Sequence, residues 1–459
     1  MKTLFFFIIL MTAHVPQTQY LSEIAGNWEG YIEVSGQQLG IQFVFSYSDG
    51  ELDGTLDIPE QMASNLPVEF MRADMDSLIF QFETGTGPAL FKGKWNSEEA
   101  QIAGLFEQAG MAFPFKINKL IRNSGDNFNL PEKNIQIPIR SGHAGGSLIL
   151  TERPSPLIIL LTGSGSQNRN ENVAGFRVFA KMAEHLYDSG FSSFRYDDRG
   201  VGESSGQIDA TINDLADDLI DISEHLRENF AGSFTEIILL GHSQGGLVAS
   251  IAASMDEIGG IIYMGSPFIR GDKVINQQIR IISEAQGIDE EVVEMNLEFQ
   301  KRIYDVVRSN GDWSEIEKDL AERLQSQINE LPEDKREALG DMNSFIRSQI
   351  NRQLAGAKTD WFKSFIEFDP AGTVSGLEVP MLAIFGEKDS QIIKAPNLEA
   401  AQNLIDESGI SLTIVTIPEA NHLFQKATTG MPGEYGMLER EFIDGFVESI
   451  VEWLNSLEL

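Results

Sequence analysis

Gly241-His242-Ser243-Gln244-Gly245 sets a serine hydroxyl between glycines, directly after the apolar run "EIILL" and directly before the helix-like "GLVASIAA". A sharp strand-to-helix turn needs glycines around its serine, because the backbone is strained and flanking side chains would collide. Such a turn presents the hydroxyl at a helix amino terminus, where developing negative charge is favoured. The chemistry that uses this placement is nucleophilic attack on an acyl carbon. A serine is a poor nucleophile at neutral pH and needs a base within hydrogen-bond reach. In a strand, nucleophile, helix arrangement that base comes late in the chain, after the acid. The histidines stand at 14, 143, 185, 225, 242 and 422, and only His422 lies beyond the serine.

His422 sits in "IPEANHLF", just after the strand-like "LTIVTI". The carboxylate that orients it should follow another strand end, and "PMLAIFGEKDSQI" offers Glu387 and Asp389. A strand, a glycine and two intervening residues swing a short carboxylate back over a sheet, which selects Asp389 with Glu387 as the fallback. A tetrahedral oxyanion needs preorganised N–H donors. One is the backbone of Gln244. The other is expected from Ser164 in "LIILLTGSGSQNRN", where Gly163 and Gly165 let the backbone approach a ligand. A phosphate loop is the rival reading of that stretch, but it lacks the G-K-S ending, and its Gly-x-Gly lacks a third glycine.

These residues need a scaffold that gathers strand ends. From Asn134 onward, short apolar runs ("SLILT", "LIILLT", "EIILLG", "GIIYMG", "PMLAIFG", "LTIVTI") alternate with helical patterns such as "AGFRVFAKMAEHLYDSG" and "TINDLADDLIDISEHLREN". That alternation predicts a doubly wound, mostly parallel α/β sheet over 134–459 with its active site at the carboxyl ends of the strands. Between about 267 and 360 the alternation gives way to amphipathic helices, exemplified by Val293, Leu297, Ile303 and Val307. An insertion there, following the strand next to the serine, reads as a lid, with a dimerisation element as the alternative.

Residues 20–120 have period two instead. Leu39, Ile41, Phe43, Phe45 and Tyr47 point one way before the turn pair Asp49-Gly50, and the alternation recurs at Leu78/Phe80/Phe82 and Met111/Phe113/Phe115/Ile117. Seven or eight short strands at about ten-residue spacing predict a small antiparallel barrel or sandwich whose inward aromatics form its core. Residues 121–133 read as a linker. The start, "MKTLFFFIILMTAH", has one lysine and an eight-residue apolar run from Leu4 to Met11, too short to span a bilayer and the length of a signal-peptide core. Residues 1–19 are therefore read as a signal for export, cleaved between Ala13 and Tyr20, to a periplasmic or extracellular location.

The net charge of -35, with 69 acidic against 34 basic residues, disfavours attraction to nucleic acid or anionic bilayers. The chain has no cysteine, which removes disulfides, thiol nucleophiles and thiolate metal sites. Neither metal nor cofactor is called for by the serine chemistry. Oligomeric state is not encoded in any recognisable pattern.

Taken together, the Ser243 turn, the Asp389 strand, the late His422 and "RYDDRGVGESSG" at 195–206 resemble the α/β-hydrolase superfamily, and in particular exported bacterial esterases related to serine aminopeptidases, which carry an amino-terminal β domain and a helical lid. The oxyanion loop of those proteins reads H-G-S-G-P-Q-D-R-D where this chain has Thr162-Gly163-Ser164-Gly165-Ser166-Gln167-Asn168-Arg169-Asn170, so Thr162, Ser166 and Asn168 depart from the pattern. "WFKSFIEFDPA" is similar to their passage from lid to strand. The resemblance covers 134–459. It implies a scaffold role for Asp198 and Arg199, with a catalytic Asp198 as the alternative. A serine at the turn argues against dehalogenase or epoxide hydrolase chemistry, which uses an aspartate there.

The expected protein is a serine hydrolase acting on small-molecule carboxylic esters with short to medium acyl groups. The nearer alternative is a peptide or amide hydrolase, or an acyltransferase, with the same triad. The alternative of another class is a ligand-binding protein that acts through the β domain.

Overall fold

The computed structural model describes Leu21, residues 24–119 apart from positions 35–36, 49–50, 59–62, 75–76, 85–86, 97–98 and 109–110, then 130–329, Glu333, Arg336 and 341–457. The segment read as an export signal, the Asp49-Gly50 turn and positions 121–129 of the expected linker lie outside the described residues. The chain divides into two compact units, Met1–Ile121 and Arg122–Leu459.

The first unit is a closed barrel of eight antiparallel strands, β1 (Gly26–Val34), β2 (Gln37–Ser48), β3 (Glu51–Ile58), β4 (Ala63–Asp74), β5 (Ser77–Thr84), β6 (Gly87–Asn96), β7 (Gln101–Gln108) and β8 (Met111–Lys119). Each strand pairs with the next, and β8 closes on β1 through the register Trp28↔Lys119 to Ile32↔Phe115. Closure removes both sheet edges, the usual weakness of a small β domain. The alternating residues fill the inside: Phe80 stacks on Phe91 at 5.0 Å, while Phe43 and Phe115 meet Phe91 edge-on at 5.2 and 4.9 Å. Leu39 and Tyr47, at the ends of their alternating run, are only partly buried.

The second unit is built on an eight-stranded sheet formed by β9 (Glu132–Ile139), β10 (Gly142–Ile149), β11 (Ser155–Leu161), β14 (Ser192–Tyr196), β15 (Phe234–His242), β16 (Gly260–Met264), β17 (Met381–Gly386) and β18 (Leu412–Ile417). A two-stranded hairpin, β12 (Asn172–Val173) with β13 (Phe176–Arg177), stands apart from it. The order across the sheet is β18-β17-β16-β15-β11-β14-β10-β9, with β10 antiparallel to both neighbours and the others parallel. β9 opens at Glu132, inside the stretch read as linker.

The apolar runs are continuous because both faces of the sheet are covered. In β15, Ile237 and Leu239 enter one core with helices α2 (Ile212–Asn229) and α3 (Gly245–Ala253); Ile238 and Leu240 enter the other with α1 (Val178–Asp188) and α11 (Phe446–Ser456). Thr211 and Asp214 form a capping box that starts α2. The chain leaves β11 for β14 on one side and then returns for β15 on the other. This reversal opens a crevice at the carboxyl ends, the standard location for a site in such sheets.

Between β16 and β17 lie α4 (Gly271–Ala285), α5 (Glu290–Ser309), α6 (Ser314–Asn329), α7 (Met342–Ala355), α8 (Asp360–Glu367) and α9 (Pro370–Val374), and then α10 (Lys394–Ser408) follows β17. In α5, Val293, Ile303 and Val307 are buried while Leu297 is partly exposed, and the helix ends where Asn310 turns left-handed at φ +47°. No helix among the described residues is long and apolar enough to cross a membrane.

Because the barrel core is one continuous ring cluster, Phe91→Ala should remove about 3–5 kcal/mol from the stability of the first unit. Urea unfolding followed by tryptophan emission from Trp28 and Trp95 measures it.

Candidate active site

Ser243 follows the last residue of β15 with φ +52°, a left-handed conformation that costs a non-glycine residue roughly 1–3 kcal/mol. Its N–H donates to the Met264 carbonyl at 2.9 Å, which fixes the turn against the end of β16. The glycines on either side are required by contact. A Cβ on Gly241 would lie 2.3 Å from the carbonyl carbon of Gly245, and one on Gly245 would lie 2.2 Å from the Leu161 oxygen. α3 begins at once, so the Ser243 hydroxyl sits at its positive end.

The carboxyl ends of β17 and β18 supply the next pair. His422 Nδ1 is 2.8 Å from Asp389 Oδ2, with side-chain exposures of 5% and 1%. The other carboxylate oxygen of Asp389 accepts the Gln391 and Ile392 N–H groups, both at 2.8 Å, so its orientation is set by backbone. Glu387 turns away and accepts the Glu419 N–H at 3.2 Å. The His422 loop is held by Asn421, whose Oδ1 accepts from the Leu423 and Gln425 N–H groups at 3.0 and 2.9 Å. Gly265, at φ +55°, leaves room for the pair: a Cβ there would be 3.3 Å from His422 Nδ1 and 3.4 Å from Asp389 Oδ2.

His242, one residue before the serine, joins these parts. Its ring lies 4.6 Å from the His422 ring, its Nε2 is 3.0 Å from the His422 carbonyl oxygen, and its Nδ1 is 2.8 Å from Glu171 Oε1. Neither His242 nor Glu171 was singled out from the sequence, although His242 stands inside the motif itself.

The loop after β11 passes beside the serine; a Cβ on Gly163 would come 3.4 Å from the Ser243 Cβ. The Gly163 N–H is committed to Glu171 at 2.7 Å. Among the described residues, the Ser164 and Gln244 N–H groups have no acceptor. From the helical insert, Trp361 Nε1 donates to the Gln244 side-chain oxygen at 2.5 Å.

Asp198 does not meet His422. Its carboxylate accepts from the Thr162 hydroxyl and from the Gln167 N–H, each at 2.8 Å, and so clamps both ends of the Gly-Ser-Gly loop. Burial pushes this carboxyl up to about 7. Arg199 pairs with Asp218 on α2, away from the serine. Arg169 binds Asp197 at 2.6 Å and Glu203 at 2.6 Å, and despite burial Asp197 is held below the usual carboxylate range by Arg169. Among the described residues, no group of three or more His, Cys, Asp or Glu side chains could hold a metal ion.

Residues 175–342 match the family described as "Serine aminopeptidase, S33". The chain is similar to Esterase EstD of Thermotoga maritima, 23% identical over 362 residues that make up 78% of this chain and 74% of that protein. A Pyrococcus furiosus esterase structure covers 74% of this chain and 95% of its own at 13% identity and a TM-score of 0.43. A thermophilic esterase from Thermogutta terrifontis, solved with malate, covers 71% and 100% at 20% identity and a TM-score of 0.39.

The raised Asp198 value makes stability depend on pH. Its folded carboxyl binds a proton more tightly than the unfolded one, so its contribution is complete below about pH 4 and is lost as pH rises towards about 7. The melting temperature of Asp198→Asn relative to wild type should therefore rise progressively between pH 4 and 8, as read by thermal unfolding across that range.

Proposed function

We propose that this serine hydrolase, whose second unit carries an S33 serine aminopeptidase-like domain of the α/β-hydrolase fold, cleaves small-molecule carboxylic esters with short to medium acyl groups through an acyl-enzyme on Ser243. The observation that carries the reading is the buried Asp389–His422 pair, 2.8 Å apart, past the carboxyl ends of the same parallel strands as the strained serine turn. Serine, base and acid at strand ends form a constellation recognised by geometry and roles.

In this reading Ser243 Oγ attacks the ester carbonyl carbon while His422 Nε2 takes its proton. Asp389 keeps the Nδ1–H directed at itself and stabilises the imidazolium that forms. The tetrahedral oxyanion is held by the Ser164 and Gln244 N–H groups, which no protein acceptor occupies among the described residues. His422 then gives its proton to the departing alkoxide, and the alcohol leaves. In the second half, His422 removes a proton from water, which attacks the acyl carbon; collapse returns the proton to Ser243 and releases the carboxylic acid.

The helical insert is read as a lid, on the strength of Trp361 reaching the residue after the serine. The ester preference is supported by the relation to Esterase EstD. The S33 description favours a second reading, hydrolysis of amides or peptides by the same triad. The packed Phe cluster of the barrel speaks for a structural interior over a ligand-binding one. Export is proposed on the apolar run Leu4 to Met11.

Hydrolysis of p-nitrophenyl acetate, butyrate and decanoate, compared with an amino-acid anilide, tests the assignment. Ser243→Ala should lose both turnover and fluorophosphonate labelling, Asp389→Asn should lower kcat by roughly 10³–10⁴-fold, and the short esters should exceed the anilide. Anilide turnover above that of every ester would establish the amide reading instead. Intact mass of the protein secreted by its native host should place the mature amino terminus between residues 13 and 20; a retained Met1-Lys2 would exclude cleavage there.

A further inference from the structure

We propose that Glu171 and His242 are positioning residues for this reaction: a buried carboxylate–imidazolium pair that ties the oxyanion loop to the backbone of the general base. The proposal rests on the triad reading given above. Their side chains are 1% and 4% exposed, so neither is a surface ion pair.

With Glu171 ionised, the donor count makes His242 an imidazolium. His242 Nδ1 faces the Glu171 carboxylate oxygen at 2.8 Å, and Nε2 faces the His422 carbonyl oxygen at 3.0 Å. The carbonyl oxygen accepts only, as does the Glu171 carboxylate, and a neutral imidazole carries a single N–H. Satisfying both requires the imidazolium, and Glu171 supplies the opposite charge. Burial lowers the His242 pKa, but Glu171 outweighs it, helped by the His422 carbonyl and by Asp389, so the net direction is upward.

The Glu171 oxygen that takes the His242 proton also accepts the Gly163 N–H at 2.7 Å. One atom thus holds the turn that leads into Ser164 and the ring that holds His422. The second oxygen, Oε2, is buried and has no partner among the described residues, so Oε1 is the one Glu171 atom that serves both loops. Glu171 keeps this aim through a left-handed backbone at φ +46°, strain of the kind found where function dictates geometry.

Charged and titratable groups face the pair from three sides. Glu171 approaches His242 from the start of the β12 hairpin, and His422 and Asp389 from the loops after β18 and β17; Glu171 in turn helps to raise Asp198, after β14. The sign of the pH effect follows. The upward shift means that the pair is complete at low pH and is lost as pH rises through the folded value of His242. Deprotonation removes one N–H, and either the Glu171 bond or the His422 bond breaks. Activity therefore has an alkaline limb belonging to His242.

The test uses the full chain, with p-nitrophenyl butyrate kinetics and fluorophosphonate labelling rates from pH 5 to 10 for wild type, Glu171→Gln, Glu171→Asp and Ser243→Ala. Glu171→Gln keeps an acceptor for Gly163 but removes the charge. At pH 8 it should lower kcat by about 10- to 100-fold with KM unchanged, and it should move the alkaline limb to lower pH; Glu171→Asp should return the limb towards wild type. A Glu171→Gln profile that superimposes on wild type overturns the proposal. Should that variant fail to fold, wild type decides: a labelling rate that stays level to pH 10, in protein shown folded by circular dichroism, overturns it. Ser243→Ala separates the two readings. If it still labels and turns over, the triad reading fails; if it is inert while Glu171→Gln behaves as wild type, only the positioning role fails.

Discussion

The turn at Gly241–Gly245 has no spare volume, and the second unit is organised around that constraint. A methyl group at Gly245 would overlap the Leu161 carbonyl, so β11 can run beside β15 only if this position is bare. The same proximity brings the loop after β11 against the serine. Ser266 adds a hydroxyl bond to the Gly241 carbonyl at 3.0 Å, and the Ser243 N–H is taken by Met264, so both sides of the turn are fixed from β16. The left-handed serine is over-determined by these contacts, which is how strain of about 1–3 kcal/mol persists in a folded chain.

Around the turn the protein uses ion pairs to specify geometry. Asp198 gathers Thr162 and Gln167, Arg169 binds Asp197 and Glu203, and Arg195 joins Asn170 to Glu132 on the outermost strand. The buried Arg169–Asp197 pair adds little net stability, because desolvation offsets most of the attraction. Removing one partner is costly, however, and that asymmetry holds a glycine-rich loop in one conformation. The departures of this loop from the H-G-S-G-P-Q-D pattern have a local explanation at Thr162, whose hydroxyl donates to Asp198.

Much of this could be read along the chain because it is written in local pattern. The alternation of apolar runs and helical patterns after Asn134, the glycines around Ser243 and the order of serine, acid and histidine each depend on residues close in sequence or on a rule of chain order. Asp389 was preferable to Glu387 because spacing after a strand end decides which carboxylate points back over the sheet. The Glu171–His242 contact was not legible, since 71 residues separate the partners and neither type is unusual in a loop. Closure of the barrel was likewise open, because alternation is the same in a sandwich; the β1–β8 register that decides it is long-range.

The helical insert is anchored where it matters most to the serine. Asp209 accepts the Asp360 and Trp361 N–H groups at 3.3 and 3.1 Å, Ser364 accepts the Ile212 N–H at 3.1 Å, and Trp361 stacks on Phe365 while bonding Gln244. α8 is therefore fastened to the loop before α2 and to the residue after Ser243. Displacing it would break several hydrogen bonds of about 0.5–1.5 kcal/mol each and disturb Gln244, the oxyanion donor of the proposed mechanism. In the proposed mechanism, α8 so tied cannot yield to a longer acyl chain without disturbing Gln244. Under the esterase reading, any gain in acyl capacity has to come from the other helices of the insert, which can change without moving Gln244.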